Sequence, residues 1–178
     1  LYTAGHLIEA GAAHYAATGK ENLLSIVCKL ADCLVQTFGK EEGKQHLCCG
    51  HPEIELALFR LFEATGNASY KELALYFLDI RGTDPAFFSM TDSEKNDEMR
   101  KWLDADYFAA HEPVRKMRTP AGHAVRAVYL YEAMSDAVFY TGDKEMKEAL
   151  FSLWNNMVSK QMYITGGIGS QGWGERFT

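Results

Sequence analysis

Apolar residues recur along this chain at helical intervals, and the pattern restarts three times. Residues 3–18 are alanine-rich and free of proline, ending at Thr18-Gly19, where a left-handed glycine can close a helix. Over 21–38, Leu23, Val27, Leu30, Leu34 and Phe38 fall three or four apart, the stripe of an amphipathic helix. Gly50-His51-Pro52 opens the next block, with proline in a first turn where its missing N–H is harmless. Ile54, Leu58 and Leu61 carry that stripe to Thr65-Gly66. Asn67 or Ser69 caps a helix over 70–81 bearing Leu73, Phe77 and Leu78. Gly122-His123 starts the third block, through Val125, Tyr129 and Ala133 to Thr141-Gly142. Asp143 then caps a last helix striped by Met146, Leu150, Leu153 and Met157. The pattern predicts six helices, over 3–18, 21–38, 51–65, 70–81, 121–141 and 143–162, paired antiparallel, with no substantial sheet.

One unit thus occurs three times: Gly-His, helix, Thr-Gly turn, amphipathic helix. The histidines are His6, His51 and His123, and the turn glycines follow them by 13, 15 and 19 residues. Solenoid repeats keep a near-constant period because each unit stacks on an identical neighbour. Separations of 45 and 72 residues between the histidines do not fit that rule. Recurring helices with unequal loops suit an α/α toroid, in which three hairpins are half of a six-hairpin ring, giving an all-α, partial (α/α)6 barrel. Much of the inequality lies in the charged stretch Thr83 to Thr119, which contains Pro85, Pro113 and the run Thr91–Glu98 and reads as a lid-like loop or as disorder. If each Gly-His pair starts an inner helix, the three imidazoles share one edge of the ring and face a common cavity. A lone histidine is more often structural; three at one repeat position favour convergence. His14 and His46 lack that context and read as surface or core residues.

Composition narrows the class. At 178 residues the chain is one domain or a large part of one, with the 47% apolar and 24% charged content of a globular fold. A net charge of −6 with no basic block argues against nucleic acid, and no apolar run reaches the roughly 20 residues of a membrane helix. The chain starts at Leu1 inside a helix and stops at Thr178 in a loop, so a fragment of a longer protein is expected, its targeting segment unknown. Cys28, Cys33, Cys48 and Cys49 read as reduced thiols of a cytoplasmic protein. A Cys-Cys-x-His zinc site at Cys48, Cys49 and His51 would need two further ligands that are not evident nearby.

The last sixteen residues, Tyr163 to Thr178, hold five of the fifteen glycines, the aromatics Tyr163, Trp173 and Phe177, and one carboxylate, Glu175. Glycine this dense costs too much for a helix interior, about 1 kcal/mol each relative to alanine, but lets the backbone lie close to a ligand. A carboxylate beside an indole that excludes water suits general-acid work. The plainer reading is a glycine-rich turn with an exposed Glu, and the residues alone do not separate the two.

Five blocks carry a resemblance: YTAGHLIEA (2–10), GHPEIELALFRLFEATG (50–66), HEPVR (111–115), GHAVRAVYLYEAM (122–134) and MYITGGIGSQGWGERF (162–177). Together, and in this order, they make the chain similar to the β-L-arabinofuranosidases of glycoside hydrolase family 127. The resemblance implies an (α/α)6 catalytic barrel, of which residues 1–178 are one part, and retaining hydrolysis of terminal β-L-arabinofuranosides from plant-derived glycans. It implies that Glu175 is the general acid/base and that His6, His51 and His123 line the sugar pocket. It implies a zinc-bound cysteine thiolate as nucleophile, with its Glu-x-Cys and Cys-Cys ligands beyond Thr178, so that no metal ligand falls within this chain and Cys48-Cys49 is not that pair. The HEPVR block runs into Lys116-Met117 where the family commonly has Glu-Gln. The expected partners are a carbohydrate substrate and, for the full-length form, a second copy in a homodimer. Two other classes compete: a helical-repeat interaction domain without catalysis, and another α/α-toroid sugar enzyme such as an epimerase or an unsaturated-uronide hydrolase. Unequal repeat spacing and the glycine loop disfavour the first, and the Gly-His-x-x-Arg and Gly-Gly-Ile-Gly-Ser wording disfavours the second.

Overall fold

A computed structural model describes residues 1–84 and 103–178. Pro85 and the run Thr91–Glu98 of the expected lid-like loop lie outside the described residues. The rest is helical, with no strand and two isolated bridges among the described residues. Among the described residues the α-helices are α1 (Tyr2–Thr18), α2 (Glu21–Thr37), α3 (Ile54–Thr65), α4 (Ala68–Ile80), α5 (Ala124–Thr141) and α6 (Lys144–Asn156). A 3-10 turn at Val114–Lys116 precedes α5, and a π-turn at Met157–Gln161 follows α6. No described helix is long and apolar enough to cross a membrane.

The Thr-Gly signature builds the same hinge three times. Thr18, Thr65 and Thr141 each end a helix and donate Oγ1–H to the carbonyl four residues back, at 2.7, 2.7 and 2.6 Å. Each hydroxyl also accepts from the N–H two residues on, in Lys20, Asn67 and Asp143. The glycine between them is left-handed, with φ of 67°, 72° and 70°, and its N–H closes the last helical turn. The next helix then starts after a two-residue connection, short enough to fold it back on its predecessor. Asn67 Oδ1 accepts from Ser69 N and Asp143 Oδ1 from Met146 N, so both expected caps are in place.

The chain forms two compact units, Leu1–Leu78 and Asp79–Thr178. In the first, α1 packs on both α2 and α3. Gly11 permits the first contact, since a Cβ there would overlap Val27. The buried face of α2 is Leu24, Val27, Ala31 and Leu34. This corrects the expected stripe by one position at two places, for Leu23 and Leu30 are only half-buried. Helix α3 is buried nearly all round (Ile54 to Phe59 and Leu61), the mark of an inner helix rather than a surface one. Helix α4 meets α2 through Tyr70 Oη, 2.8 Å from Asp32, and through Phe77 against Phe38.

In the second unit α5 packs on α6. Here too the expected stripe is turned: Val125 is exposed, and Ala124, Ala127, Leu130, Ala133, Met134 and Ala137 form the buried face. Small residues there let the neighbouring backbone come close. Arg115 of HEPVR is a clamp: its Nη1 meets Asp79 and its Nε meets Asp143, both at 2.8 Å. The expected helix starts at 51 and 121 move to Ile54 and Ala124. Glu53 and His123 take the N-cap positions, and Gly122 lies in left-handed backbone ahead of the second.

Candidate active site

The second unit builds its site on the N-terminus of α5. Residue His123 is the N-cap, and its Nδ1 accepts from the Arg126 N–H at 3.2 Å. The glycine loop returns to the same place. Ala124 N donates to Glu175 O at 2.9 Å and Phe177 N to Gly122 O at 3.0 Å, an antiparallel bridge between His123 and Arg176. Phe177 plugs into a small core with Ala124, Ala127 and Met157, backed by Ile168. Gly122, at φ 71°, lets this crossing form, since any side chain would run into the Asp106 carbonyl. The loop that reads as flexible is therefore fixed at its far end.

That fixing presents Glu175. Among the described residues it is one of two non-glycine residues with positive φ, at 46°, a conformation that is strained for a side chain. Its Oε2 lies 3.2 Å from His123 Nε2. The imidazole is buried, at 13% side-chain exposure, while the carboxylate reaches solvent at 70%. The ring of Tyr107 stands edge-on to His123, 5.3 Å between centroids, with the Arg126 guanidinium 4.0 Å over its face. Arg176, beside Glu175, turns away to bind Asp104 Oδ1 at 2.9 Å. Burial, and then the charge of Arg126, hold the His123 pKa below its ordinary value, against an upward pull from Glu175. Trp173 does not dry the carboxylate as expected: the indole is itself 80% exposed. The group that meets Glu175 is a histidine.

His6 and His51 belong to the first unit, where both rings contact Tyr2, at 4.5 and 4.6 Å between centroids. His6 sits in the first turns of α1 rather than at its start, with Nδ1 3.1 Å from Glu53 and 3.7 Å from Glu9. Its side chain is 39% exposed, and that of Glu53 is 0%. His51 lies ahead of α3 with Nδ1 2.7 Å from the Pro52 carbonyl, which fixes the proton on that nitrogen. The three Gly-His pairs thus take three different local positions, and two of the imidazoles share one tyrosine.

Four residues escaped the sequence reading: Glu53, Glu55, Tyr107 and Arg126. Glu53 and Glu55 are both buried, and Glu53 N donates to Glu55 Oε2 at 3.0 Å. Their signal was present in GHPEIELAL, since carboxylates inside an apolar helix start are almost never buried without a partner. Arg126 lies three residues after His123, within the Gly-His-x-x-Arg wording, so its nearness is local; Tyr107 had no signal, for nothing in its local sequence brings it to His123.

Helical hairpins without a strand among the described residues place the chain among all-α domains. The family model described as "Beta-L-arabinofuranosidase, GH127 catalytic domain" matches residues 1–178. The chain belongs to that family. It is 42% identical, over its whole length, to a non-reducing end β-L-arabinofuranosidase of Bifidobacterium longum subsp. longum, and spans 28% of that protein. Its structure is similar to a crystal structure of a GH127 β-L-arabinofuranosidase from Geobacillus stearothermophilus T6, with TM-score 0.91 and 45% identity over 99% of this chain and 28% of that one. A second GH127 β-arabinofuranosidase structure gives TM-score 0.84 and 41% identity, over 99% of this chain and 25% of that one.

Proposed function

We propose that this chain is part of the catalytic domain of a retaining β-L-arabinofuranosidase, in which Glu175 is the general acid/base. The observation that carries the proposal is the placement of Glu175: a solvent-reaching carboxylate on a loop pinned to a helix N-terminus, 3.2 Å from an imidazole. In the first step the protonated carboxyl gives its proton to the departing glycosidic oxygen; in the second the carboxylate takes one from water. Family membership favours terminal arabinofuranosyl groups of plant-derived glycans as substrates over an epimerase or a passive helical scaffold. His6 and His51 suit the sugar, because a neutral imidazole can both donate and accept hydrogen bonds with furanose hydroxyls.

The zinc-bound thiolate that the family implies finds no thiolate set among the described residues. The donor group they contain, His6, Glu9 and Glu53 within 4.8 Å of one another, has no sulfur, and all four cysteines are unbridged and stand outside it. These residues do not fit that metal centre. In this reading the nucleophile and its zinc belong to residues outside the 178, in a longer protein that is cytoplasmic and pairs as a homodimer.

A general acid contributes about 10²–10⁴-fold. Glu175→Gln in the full-length enzyme is therefore expected to lower kcat/KM by that range on alkyl or peptide-linked arabinofuranosides, and far less on an aryl glycoside whose leaving group needs little protonation. Activity within a few-fold of wild type on the alkyl substrate would reduce Glu175 to a loop carboxylate.

A further inference from the structure

We propose that Trp173 is the platform for the leaving group: its indole stacks on the saccharide that departs when the arabinofuranoside is cleaved. The inference rests on the acid/base reading of Glu175 and gives a task to a side chain that does not dry that carboxylate.

The segment from Gln171 to Arg176 is a turn with a fixed base. Gln171 N donates to Arg176 O at 3.3 Å, and the outgoing arm is tied to the start of α5 by Ala124 N to Glu175 O and Phe177 N to Gly122 O. Ser170 Oγ and Thr178 Oγ1 meet at 2.7 Å across the same base. Gly169 is pressed against it, for a Cβ there would stand 2.7 Å from the Ala124 methyl and 2.8 Å from Glu175 O. Next to the indole, a Cβ at Gly174 would lie 3.3 Å from the Tyr107 ring, whereas one at Gly172 would meet nothing within 4 Å. One flank of the turn therefore rests on Tyr107 and the other is open. Trp173, between these two glycines, is 80% exposed. A single exposed apolar residue is ordinary on a surface. An indole carried at the tip of a fixed turn, two residues before the proton donor, is placed.

The reaction says what it meets. The proton of the acid goes to the glycosidic oxygen, and that oxygen leaves with the departing group. The first ring of the leaving group therefore begins at the Glu175 carboxyl and extends away from the arabinofuranosyl unit. Two residues apart, the Cα atoms of Trp173 and Glu175 are within about 7 Å of each other, so a ring beside the carboxyl lies within reach of the indole. A sugar ring presents C–H bonds on its faces and hydroxyls at its rim. The negative π-face of the indole takes the weakly positive C–H hydrogens, and both apolar faces leave water. The tip from Gln171 to Gly174 carries no charge, which suits a neutral saccharide. An extended peptide is held by backbone pairing along a free edge. Here the Gln171–Arg176 and Ala124–Glu175 bonds already occupy that edge. The indole thus reads the leaving sugar rather than the arabinofuranose, and favours arabinofuranosyl groups linked to another sugar.

The test compares wild type, Trp173→Ala and Trp173→Phe in the full-length enzyme. The substrates are methyl β-L-arabinofuranoside, a β-L-arabinofuranosyl disaccharide and a peptide-linked arabinofuranoside. In Trp173→Ala the ratio of kcat/KM on the disaccharide to that on the methyl glycoside is expected to fall about 3- to 10-fold, the worth of one stacked ring pair. The loss should be carried mainly in KM, and Trp173→Phe, which keeps a π-face, should recover most of it. An unchanged ratio would overturn the proposal, because a residue that only supports the loop weakens every substrate alike. A larger loss on the peptide-linked substrate than on the disaccharide would also overturn it, by assigning the indole to a peptide. Should Trp173→Ala fail to fold, the indole N–H resonance that Trp173→Phe removes decides. Observed in Glu175→Gln, it is expected to shift with the disaccharide and not with the methyl glycoside; equal shifts, or none, overturn the proposal. If Glu175→Gln retains activity on the methyl glycoside, the acid/base reading has failed first; if only the Trp173 result fails, that reading stands without the platform.

Discussion

The two units each pair a histidine with a glutamate, and they bury opposite members. In the first, Glu53 is wholly enclosed and His6 looks outward; in the second, His123 is enclosed and Glu175 looks outward. The separations are nearly the same, 3.1 and 3.2 Å. In such a pair the buried group is held by the fold and fixes the exposed one. In the first unit the enclosed carboxylate of Glu53 stands 3.1 Å from Nδ1 of the more exposed His6. In the second unit the enclosed imidazole of His123 stands 3.2 Å from Oε2 of the exposed Glu175. The same two residue types thus leave an imidazole more exposed in one unit and a carboxylate more exposed in the other.

The largest effect should come from removing the buried acid. Glu53→Ala leaves a hole beside Gly5 and α3 and strips His6 of its partner. It is expected to lower unfolding free energy by about 2–3 kcal/mol in denaturant titration. A loss below about 0.5 kcal/mol would mean Glu53 is not held as the inversion requires.

A smaller effect is expected from pH. The folded-state pKa of His123 is held below its ordinary 6.5, first by burial and then by Arg126. The unfolded chain therefore binds the proton more readily, and stability rises with pH across the window between the two values. The contribution is complete above pH 6.5 and is lost as pH falls through the folded value. His123→Asn, whose side-chain oxygen can still cap α5, should flatten that part of the stability–pH curve. An unchanged curve would show that the ring is not the group titrating there.

The smallest effect sharpens the outward side. Glu175 is exposed and strained at φ 46°. Glu175→Gly removes the strain while adding the unfolded-state freedom of glycine, terms of about 1 kcal/mol that oppose each other. The variant should be as stable as wild type by thermal melting, within about 1 kcal/mol, yet lose activity on alkyl substrates. A clear loss of stability would place Glu175 among the fold's supports.

Much of this was legible in the residues. Helical periodicity, Thr-Gly hinges and side-chain caps are local effects, set by neighbours within four positions. So the helices, their ends at Gly19, Gly66 and Gly142, and the all-α class follow from sequence. The family wording singled out Glu175 and the three histidines. What spacing could not give was the face each helix buries. Leu23, Leu30 and Val125 fit a stripe as well as Leu24, Ala31 and Ala124 do, and only contact with a neighbouring helix chooses. Nor could it give the partner of Glu175. Trp173 is two residues away in sequence and stays in solvent, while His123 is 52 residues away and lies at 3.2 Å. Chain proximity sets what a side chain can reach within a turn; the backbone crossing at Gly122 and Phe177 sets what it meets across the loop, and that crossing exists only in the folded unit.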